Sequence, residues 1–232
     1  MMTTEPAGVT ASPRQFRRLS AMSYRGLILD FGGVVTSDFY AGLSAFCVRE
    51  GLDADAFVQA IRDHAEGRAA LKAVECGELP QREFEQVLGR LLGVDDNGLL
   101  ARALADIRPR PEVIDLAVRA RAAGVRVALL SNSLGTGDHD PYAEYDLDKL
   151  FDAVVISDRV GLRKPGPEIY QLTASLIGLP PSQCLFVDDT ERNLPTARDL
   201  GMGTLLFTGA ASDLTEIEKL TGISPGPRDT VG

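Results

Sequence analysis

The sequence predicts an α/β protein, a doubly wound parallel sheet into which an all-helical segment is inserted. Two patterns carry this prediction: short apolar runs alternate with helical stretches, and one long stretch shows helical periodicity alone. Each apolar run is bounded by Gly, Ser, Asn or Asp, as expected of buried strands. The five predicted strands are Gly26–Phe31, Val125–Leu130, Ala153–Ile156, Cys184–Val187 and Thr204–Phe207.

Three segments between these strands carry apolar residues at helical spacing. They are Glu112–Ala123, Pro167–Ile177 and Asn193–Leu200. An alternation of strand and helix is typical of a parallel sheet that helices cover on both faces.

The stretch from Tyr40 to Ala105 contains amphipathic patterns and no convincing strand, which predicts a separate helical insert. Because it follows the first strand, we expect it over the carboxyl end of the sheet, where open α/β sheets bind ligands. The expected division is a disordered leader (1–23), a core (24–39 and 106–221), the insert (40–105) and a mobile tail (222–232). The predicted insert helices are Gly42–Glu50, Ala54–Glu66, Gln81–Leu92 and Gly98–Ala105.

Composition excludes several classes of function. The chain has 232 residues and a formal net charge of −9, which argues against binding to nucleic-acid backbones or anionic membranes. Three widely spaced cysteines and two histidines suggest neither a disulfide framework nor a histidine-rich metal cage. No apolar run is long enough to span a bilayer, and no signal pattern opens the chain, so we expect a cytoplasmic protein.

Polar side chains follow four of the predicted core segments. Asp30 ends the run of residues 27–30 in the first strand, Ser131 follows the second strand, Lys164 follows the third, and Asp188 and Asp189 follow the fourth. In a parallel sheet these positions converge on one edge. Three crowded carboxylates would repel one another unless a cation lies among them, and Mg²⁺ prefers such oxygen ligands. The lysine and the hydroxyl would then complete a pocket for an anion.

The order of these clusters resembles the haloacid dehalogenase-like hydrolase superfamily, over about residues 25 to 210. The matching motifs are LILDFGGVVT, VALLSNS, GLRKPGPEIY and LFVDDTERN. The resemblance implies a doubly wound Rossmann-like core, a helical cap after the first motif, and Mg²⁺ as cofactor. By this resemblance, Asp30 is the nucleophile, and Ser131 and Lys164 hold the transferring group. The metal site would comprise Asp30, the Gly32 carbonyl, Asp188 and Asp189, with Asn193 supporting it. Asn132 and Gly33 would contact the substrate.

The sequence departs from the family pattern at Gly32, where phosphatases of this family usually carry an Asp that acts as general acid and base. Loss of such a group typically slows the reaction roughly 10²–10⁴-fold. Thr36, Asp38 and His64 are candidate replacements. Anomeric sugar phosphates, acyl phosphates and pyrophosphates leave readily without protonation, so they are better candidate substrates than alkyl phosphates.

The leading hypothesis is a Mg²⁺-dependent phosphatase of a small phosphorylated metabolite. The alternatives are a phosphoanion-binding regulatory protein that has lost efficient turnover, a 2-haloacid dehalogenase, and a phosphonate hydrolase that would use Lys72. Arg49, Arg62, Arg68 and His64 of the insert are candidate contacts for an anionic substrate, although a solvated helix face explains all four. The sequence does not define the oligomeric state.

Overall fold

A computed structural model describes residues 23–225 of the chain, and its centre is a five-stranded, all-parallel sheet. The strand order is β3-β2-β1-β4-β5. The strands are β1 (Gly26–Leu29), β2 (Arg126–Ser131), β3 (Ala153–Ile156), β4 (Cys184–Asp188) and β5 (Gly203–Leu206). All five predicted strands are therefore present. The first is two residues shorter than predicted, because the chain turns at Asp30 and Phe31.

Helices cover both faces of the sheet, which confirms the doubly wound α/β class. Alternate residues of β1 pack into two different apolar clusters: Leu27 and Leu29 into one, Ile28 into the other. The first cluster contains residues of α6 (Pro111–Ala122) and α11 (Ala211–Thr221), and the second contains residues of α9 (Pro167–Leu176) and α10 (Leu194–Asp199). Two one-turn helices, α7 (Leu147–Leu150) and α8 (Ser157–Val160), flank β3. The sequence did not predict α7, α8 or α11.

Five helices between β1 and β2 form a layer with its own apolar cluster, and we call them the cap helices. They are α1 (Phe39–Arg49), α2 (Ala56–Asp63), α3 (Ala65–Glu75), α4 (Gln81–Leu92) and α5 (Leu99–Ala103). Phe46, Phe57, Phe84 and Leu88 are almost fully buried in this cluster. The precise domain boundaries stay a prediction.

The prediction of one continuous cap helix over Ala54–Glu66 was wrong, because this segment contains parts of two helices. The segment Ala54–Glu66 is not continuous, because His64 adopts extended backbone angles (φ −94°, ψ 133°) and a new helix starts after it. At the break, α3 packs so closely on α2 that a Cβ on Gly67 would lie 2.0 Å from the Ala60 carbonyl oxygen. Helical periodicity alone does not reveal such a corner.

The ends of the chain are described only in part. Residues 1–22 of the predicted leader and 226–232 of the predicted tail lie outside the described residues. Within the described part of that tail, Ile223 is buried in the core against α11 and α6. All three cysteines are unpaired, and Cys47 and Cys184 are buried. Among residues 23–225, no helix has the length and apolar character that crossing a membrane requires.

Candidate functional site

Asp30 lies at the carboxyl end of β1, the central strand. Its backbone N–H donates to the Val187 carbonyl of β4 at 2.9 Å, so the sheet fixes its position. The side chain is largely buried. Because β2 and β4 flank β1, the residues that end these neighbouring strands surround Asp30, as the sequence predicted.

Lys164 joins two of the predicted carboxylates. Its ammonium group donates to Oδ1 of Asp30 and to Oδ2 of Asp188, each at 2.7 Å, and its side chain is 2% exposed. Burial by itself would lower the pKa of Lys164, but the charges of Asp30 and Asp188 raise it above its ordinary value. The lysine is therefore a cation at neutral pH.

Asn132 holds the backbone of Lys164 in place. Its side-chain oxygen accepts from the Lys164 N–H at 2.9 Å, and its amide donates to the Lys164 carbonyl at 3.1 Å. Asn132 also lines the cavity above Asp30. The structure thus gives this predicted substrate contact a clear positioning role, while direct contact with substrate stays a prediction.

Asp30, Asp188 and Asp189 form an acidic cluster that fits a divalent cation. One carboxylate oxygen from each lies within 4.8 Å of the others. Burial raises the pKa of Asp30 to about 8, with Asp188 and Asp189 adding to the rise and Lys164 opposing it. Burial and Asp188 likewise raise the pKa of Asp189 to about 6. A single lysine does not neutralise three carboxylates, so this donor set suits Mg²⁺.

The two aspartates that end β4 have different surroundings. Asp188 is fully buried and accepts from Lys164, from the Thr190 N–H at 2.8 Å, and from the Asn193 amide at 3.0 and 3.1 Å. Asp189 accepts from the Thr190 hydroxyl at 3.0 Å through Oδ1. Asn193 therefore orients Asp188, whereas Asp189 keeps Oδ2 directed toward the turn after β1.

The two glycines of that turn are not equivalent. Gly33 has φ +79°, and a Cβ there would lie 2.0 Å from Oδ2 of Asp189. Gly33 is thus required for the close approach of this carboxylate. Its N–H donates to the Thr36 hydroxyl at 3.2 Å, so a contact between Gly33 and substrate stays a prediction. Gly32 has φ −67°, and a Cβ there would meet only the Phe39 side chain, at 3.5 Å or more.

Ser131 ends β2 and shares a hydrogen bond with a residue that sequence analysis missed. Its hydroxyl lies 2.9 Å from the Tyr142 hydroxyl. Burial raises the pKa of Tyr142 to about 12, so the phenol is neutral at physiological pH. Tyr142 lies in an irregular loop, where no sequence pattern marks it as part of the site.

Glu75 is the second residue that sequence analysis missed. It ends α3, is 6% exposed, and faces Arg163 across an ion pair of 2.5 Å. Its other oxygen accepts from the Asn132 amide at 3.4 Å. Burial raises the pKa of Glu75. Through these contacts a cap helix is fixed to the segment that carries Lys164.

The candidate replacements for the missing acid have other contacts. The Thr36 hydroxyl is buried and donates to the Phe31 carbonyl at 3.3 Å, Asp38 accepts from the Ala41 N–H at the start of α1, and His64 is exposed. Two cavities lie beside Asp30: one, of about 120 Å³, is lined by Asp30 and Lys164, and the other, of about 390 Å³, is lined by Ser131 and Tyr142, with Gly32 in the wall of both. Thr36 lines the larger cavity, whereas His64 and Asp38 line neither.

The predicted cap cations also point elsewhere. Arg49 pairs with Asp106, Arg62 pairs with Asp63, and Arg68 donates to the Arg62 carbonyl. Lys72 is exposed, and neither it nor the three arginines line the cavities beside Asp30. The structure therefore does not bring these four groups to the site.

Comparison with known proteins identifies the family to which this chain belongs. The family model of the haloacid dehalogenase-like hydrolases matches residues 24–201, and the chain belongs to this family. A magnesium complex of a HAD family enzyme from Bacteroides thetaiotaomicron has the same fold, with a TM-score of 0.61 and 22% identity over 82% of this chain and 96% of that one.

Curated relatives match at low identity. Mouse acyl-CoA dehydrogenase family member 10 is 27% identical over 86% of this chain, but the match spans only 19% of that protein's length. A sesquiterpene phosphatase of Aspergillus oryzae is 26% identical over 64% of this chain and 77% of its own length. The first of these relatives is thus far longer than this chain.

Proposed function

We propose that the protein is a Mg²⁺-dependent phosphatase of a small phosphorylated metabolite that forms an aspartyl-phosphate on Asp30. The observation that carries this proposal is the contact of Lys164 with Asp30 and Asp188 beside Asp189. The proposed nucleophile, Asp30, is buried, the Lys164 cation contacts it, and the acidic cluster beside it suits a second cation. Attack of a carboxylate on a phosphate dianion requires such positive charge. Relatives that are named phosphatases support this proposal.

The residues that would hold Mg²⁺ are Asp30, Asp189 and the Gly32 carbonyl, with Asp188 beside them. Asp189 is the stronger candidate for direct ligation, since Lys164 and Asn193 already use both oxygens of Asp188. When bound, the ion supplies positive charge that offsets the repulsion between carboxylate and phosphate.

The reaction then has two displacements. In the first, a carboxylate oxygen of Asp30 bonds to phosphorus while the bond from phosphorus to the leaving oxygen breaks. Lys164 and Ser131 would hold the phosphoryl oxygens. In the second, water attacks phosphorus, the bond to Asp30 breaks, and inorganic phosphate leaves. Dividing one difficult step into two is the usual benefit of a covalent intermediate.

Because position 32 carries no acid, the kinds of leaving group that can depart readily are limited. With Gly32 there, the departing oxygen must leave without a proton from this position, or receive one from water. We therefore expect slow turnover of alkyl phosphates and faster turnover of substrates with acidic leaving groups, such as aryl or acyl phosphates.

Gly32 also favours a second candidate function, a phosphoanion-binding regulatory protein without efficient turnover. The remaining alternatives have weaker support. A dehalogenase does not need the acidic cluster, and a phosphonate hydrolase that uses Lys72 would require this exposed side chain to reach the site. The unpaired cysteines fit our proposal of a reducing, cytoplasmic location.

A panel of phosphate esters tests the proposal, with Mg²⁺ or with a chelator, on the wild type and on Asp30→Asn. The substitution keeps the size of the side chain and removes the nucleophile. We expect Mg²⁺-dependent phosphate release by the wild type and none by the variant. Equal inactivity of both proteins, with phosphate analogues still bound, would instead indicate the regulatory function.

A further inference from the structure

The smaller of the two cavities beside Asp30 contains a cation that the proposed mechanism does not use. We call it the inner cavity, and the charged residues that line it are Asp30, Glu75, Lys164, Asp189 and Arg192. The first four have partners: Asp30 contacts Lys164, Asp189 accepts from Thr190, and Glu75 contacts Arg163. The Arg192 side chain forms no hydrogen bond or ion pair with any residue between 23 and 225.

Arg192 lies in the short 3₁₀ helix Glu191–Asn193, shortly after the two aspartates that end β4. Its side chain is exposed, which places it at the rim of the inner cavity. Burial raises the pKa of Glu75, and the charges of Arg163 and Arg192 oppose this rise. Because Arg163 already contacts the Glu75 carboxylate at 2.5 Å, Arg192 is a second positive charge that this carboxylate does not neutralise.

The rest of the inner cavity offers few partners to a large polar group. Its amides, from Asn132 and Asn193, already bind the Lys164 backbone and Asp188. The cap helices contribute Phe39, Tyr40, Leu43, Phe57, Ile61 and Leu71. At about 120 Å³ the cavity is also smaller than a usual small-molecule site. It therefore suits a compact anion beside Arg192 better than a sugar ring.

The larger, outer cavity is polar as well as aromatic, but its charges do not favour a second anion. Its arginine, Arg108, donates to the backbone carbonyls of Ala105 and Ile107. The other polar residues in its lining are Thr36, Ser131, Asn132, His139, Asp140, Glu144 and the two tyrosines Tyr142 and Tyr145. Two of these are carboxylates, so a second anionic group is better placed in the inner cavity.

Gly32 adds a requirement of its own. Because this position carries no acid, the leaving group must depart without a proton from it, and a phosphate can do so. A group that leaves as an anion is stabilised by a positive charge near its leaving oxygen. Arg192 provides such a charge in the cavity that contains Asp30. A phosphate leaving group therefore satisfies both the missing acid and the unpaired arginine.

We propose that the substrate is a compact phosphoanhydride, whose terminal phosphoryl group is transferred to Asp30 while Arg192 holds the adjoining phosphate. A carboxylate oxygen of Asp30 bonds to phosphorus, and the bond from phosphorus to the bridging oxygen breaks. The electron pair of that bond stays on the bridging oxygen, so the second phosphate leaves without taking up a proton. This inference rests on the proposed function for the aspartyl-phosphate and for Mg²⁺.

Inorganic pyrophosphate and 4-nitrophenyl phosphate together test the proposal. Neither leaving group needs an acid, but only pyrophosphate places a phosphate beside Arg192. Phosphate release is measured with Mg²⁺ for the wild type, Arg192→Gln and Arg192→Lys. We expect Arg192→Gln to lower kcat/KM about tenfold more for pyrophosphate than for 4-nitrophenyl phosphate, because charge-assisted hydrogen bonds to phosphate are lost. Arg192→Lys should retain part of the preference. Equal losses on both substrates would overturn the proposal.

Acetyl phosphate serves as a third substrate, because its leaving group is a carboxylate. A selective loss on acetyl phosphate, without one on pyrophosphate, would overturn the assignment of a phosphate leaving group. Arg198→Gln is the matched control. Arg198 is exposed on α10 and lines neither cavity, so removing its screened charge should change none of these rates.

Binding measurements separate this inference from the proposed function. Calorimetry in excess Mg²⁺ compares methylenediphosphonate with methylphosphonate, and chelation of the ion by the ligand cancels between wild type and variant. We expect Arg192→Gln to weaken the diphosphonate about tenfold more than the monophosphonate. Hydrolysis of 4-nitrophenyl phosphate, with no selective effect of Arg192 on pyrophosphate or the diphosphonate, would refute the inference alone. Arg192-dependent diphosphonate binding without hydrolysis of any substrate would refute the phosphatase and keep the second anion site.

Discussion

Replacing Lys164 with Met removes the cation from the acidic cluster while nearly preserving side-chain volume. Lys164 is buried and contacts two carboxylates at 2.7 Å. Removing one partner of a buried ion pair typically costs about 3–5 kcal/mol, because the remaining charge stays buried without compensation. We therefore expect Lys164→Met to lose about 3–5 kcal/mol of unfolding free energy at pH 8 in a chelator.

Protonation and Mg²⁺ should each relieve this loss. Without the lysine, the pKa of the Asp30 carboxyl rises further above its unfolded value, so the folded state binds more protons than the unfolded state. The unfolding free energy of the variant should therefore fall as pH rises from about 5 to 8. A cation that binds only the folded state should restore part of the stability, and more in the variant than in the wild type.

Urea unfolding monitored by circular dichroism, with chelator or with 10 mM Mg²⁺, measures these effects. Lys72→Met is the matched control, because Lys72 is exposed on α3 and its replacement should change stability by at most about 0.5 kcal/mol. A loss below about 1 kcal/mol for Lys164→Met, or equal stabilisation of both proteins by Mg²⁺, would refute the proposed electrostatics.

Three further predictions concern the turn and the acidic cluster. Gly33→Ala should weaken Mg²⁺ binding more than tenfold and cost about 1–2 kcal/mol of stability, because a Cβ at φ +79° strains the backbone and displaces Asp189. Gly32→Ala, at φ −67°, should cost less than about 1 kcal/mol in the same unfolding experiment, and equal losses would contradict the argument. Calorimetric Mg²⁺ affinity should rise up to about tenfold per pH unit between pH 6 and 8 and then level, because the ion must displace the proton from Asp30, whose pKa burial raises to about 8. A pH-independent affinity would show that this carboxyl is not a ligand. Gly32→Asp should raise kcat on short alkyl phosphates by roughly 10²-fold or more if the missing acid limits turnover. An unchanged kcat would show that it does not.

The sequence predicted the sheet, and the positions of several candidate site residues on it, because both depend on local signals. Apolar runs define buried strands, and a polar residue directly after such a run must lie at the carboxyl edge of a parallel sheet. Asp30, Ser131, Asp188 and Asp189 follow this rule. The structure brings the three aspartates together with Lys164, and it places Ser131 at the end of the neighbouring strand β2.

The contacts that sequence analysis missed depend on tertiary packing. Tyr142 reaches Ser131 from an irregular loop, and Glu75 reaches Asn132 and Arg163 only because α3 packs over the sheet edge. In sequence, Glu75 is indistinguishable from an acidic residue on a solvated helix. The corner at His64 is likewise set by packing, not by helix propensity.

We propose that Asp30 both bonds to phosphorus and contacts the cation. A crystal structure grown with Mg²⁺ and beryllofluoride, which mimics a phosphoryl group on a carboxylate, tests it directly. We predict beryllium bonded to a carboxylate oxygen of Asp30, with Lys164 on a fluoride and Mg²⁺ on Asp189. Beryllofluoride bound elsewhere, or an ion that does not contact Asp30 and Asp189 together, would contradict the account.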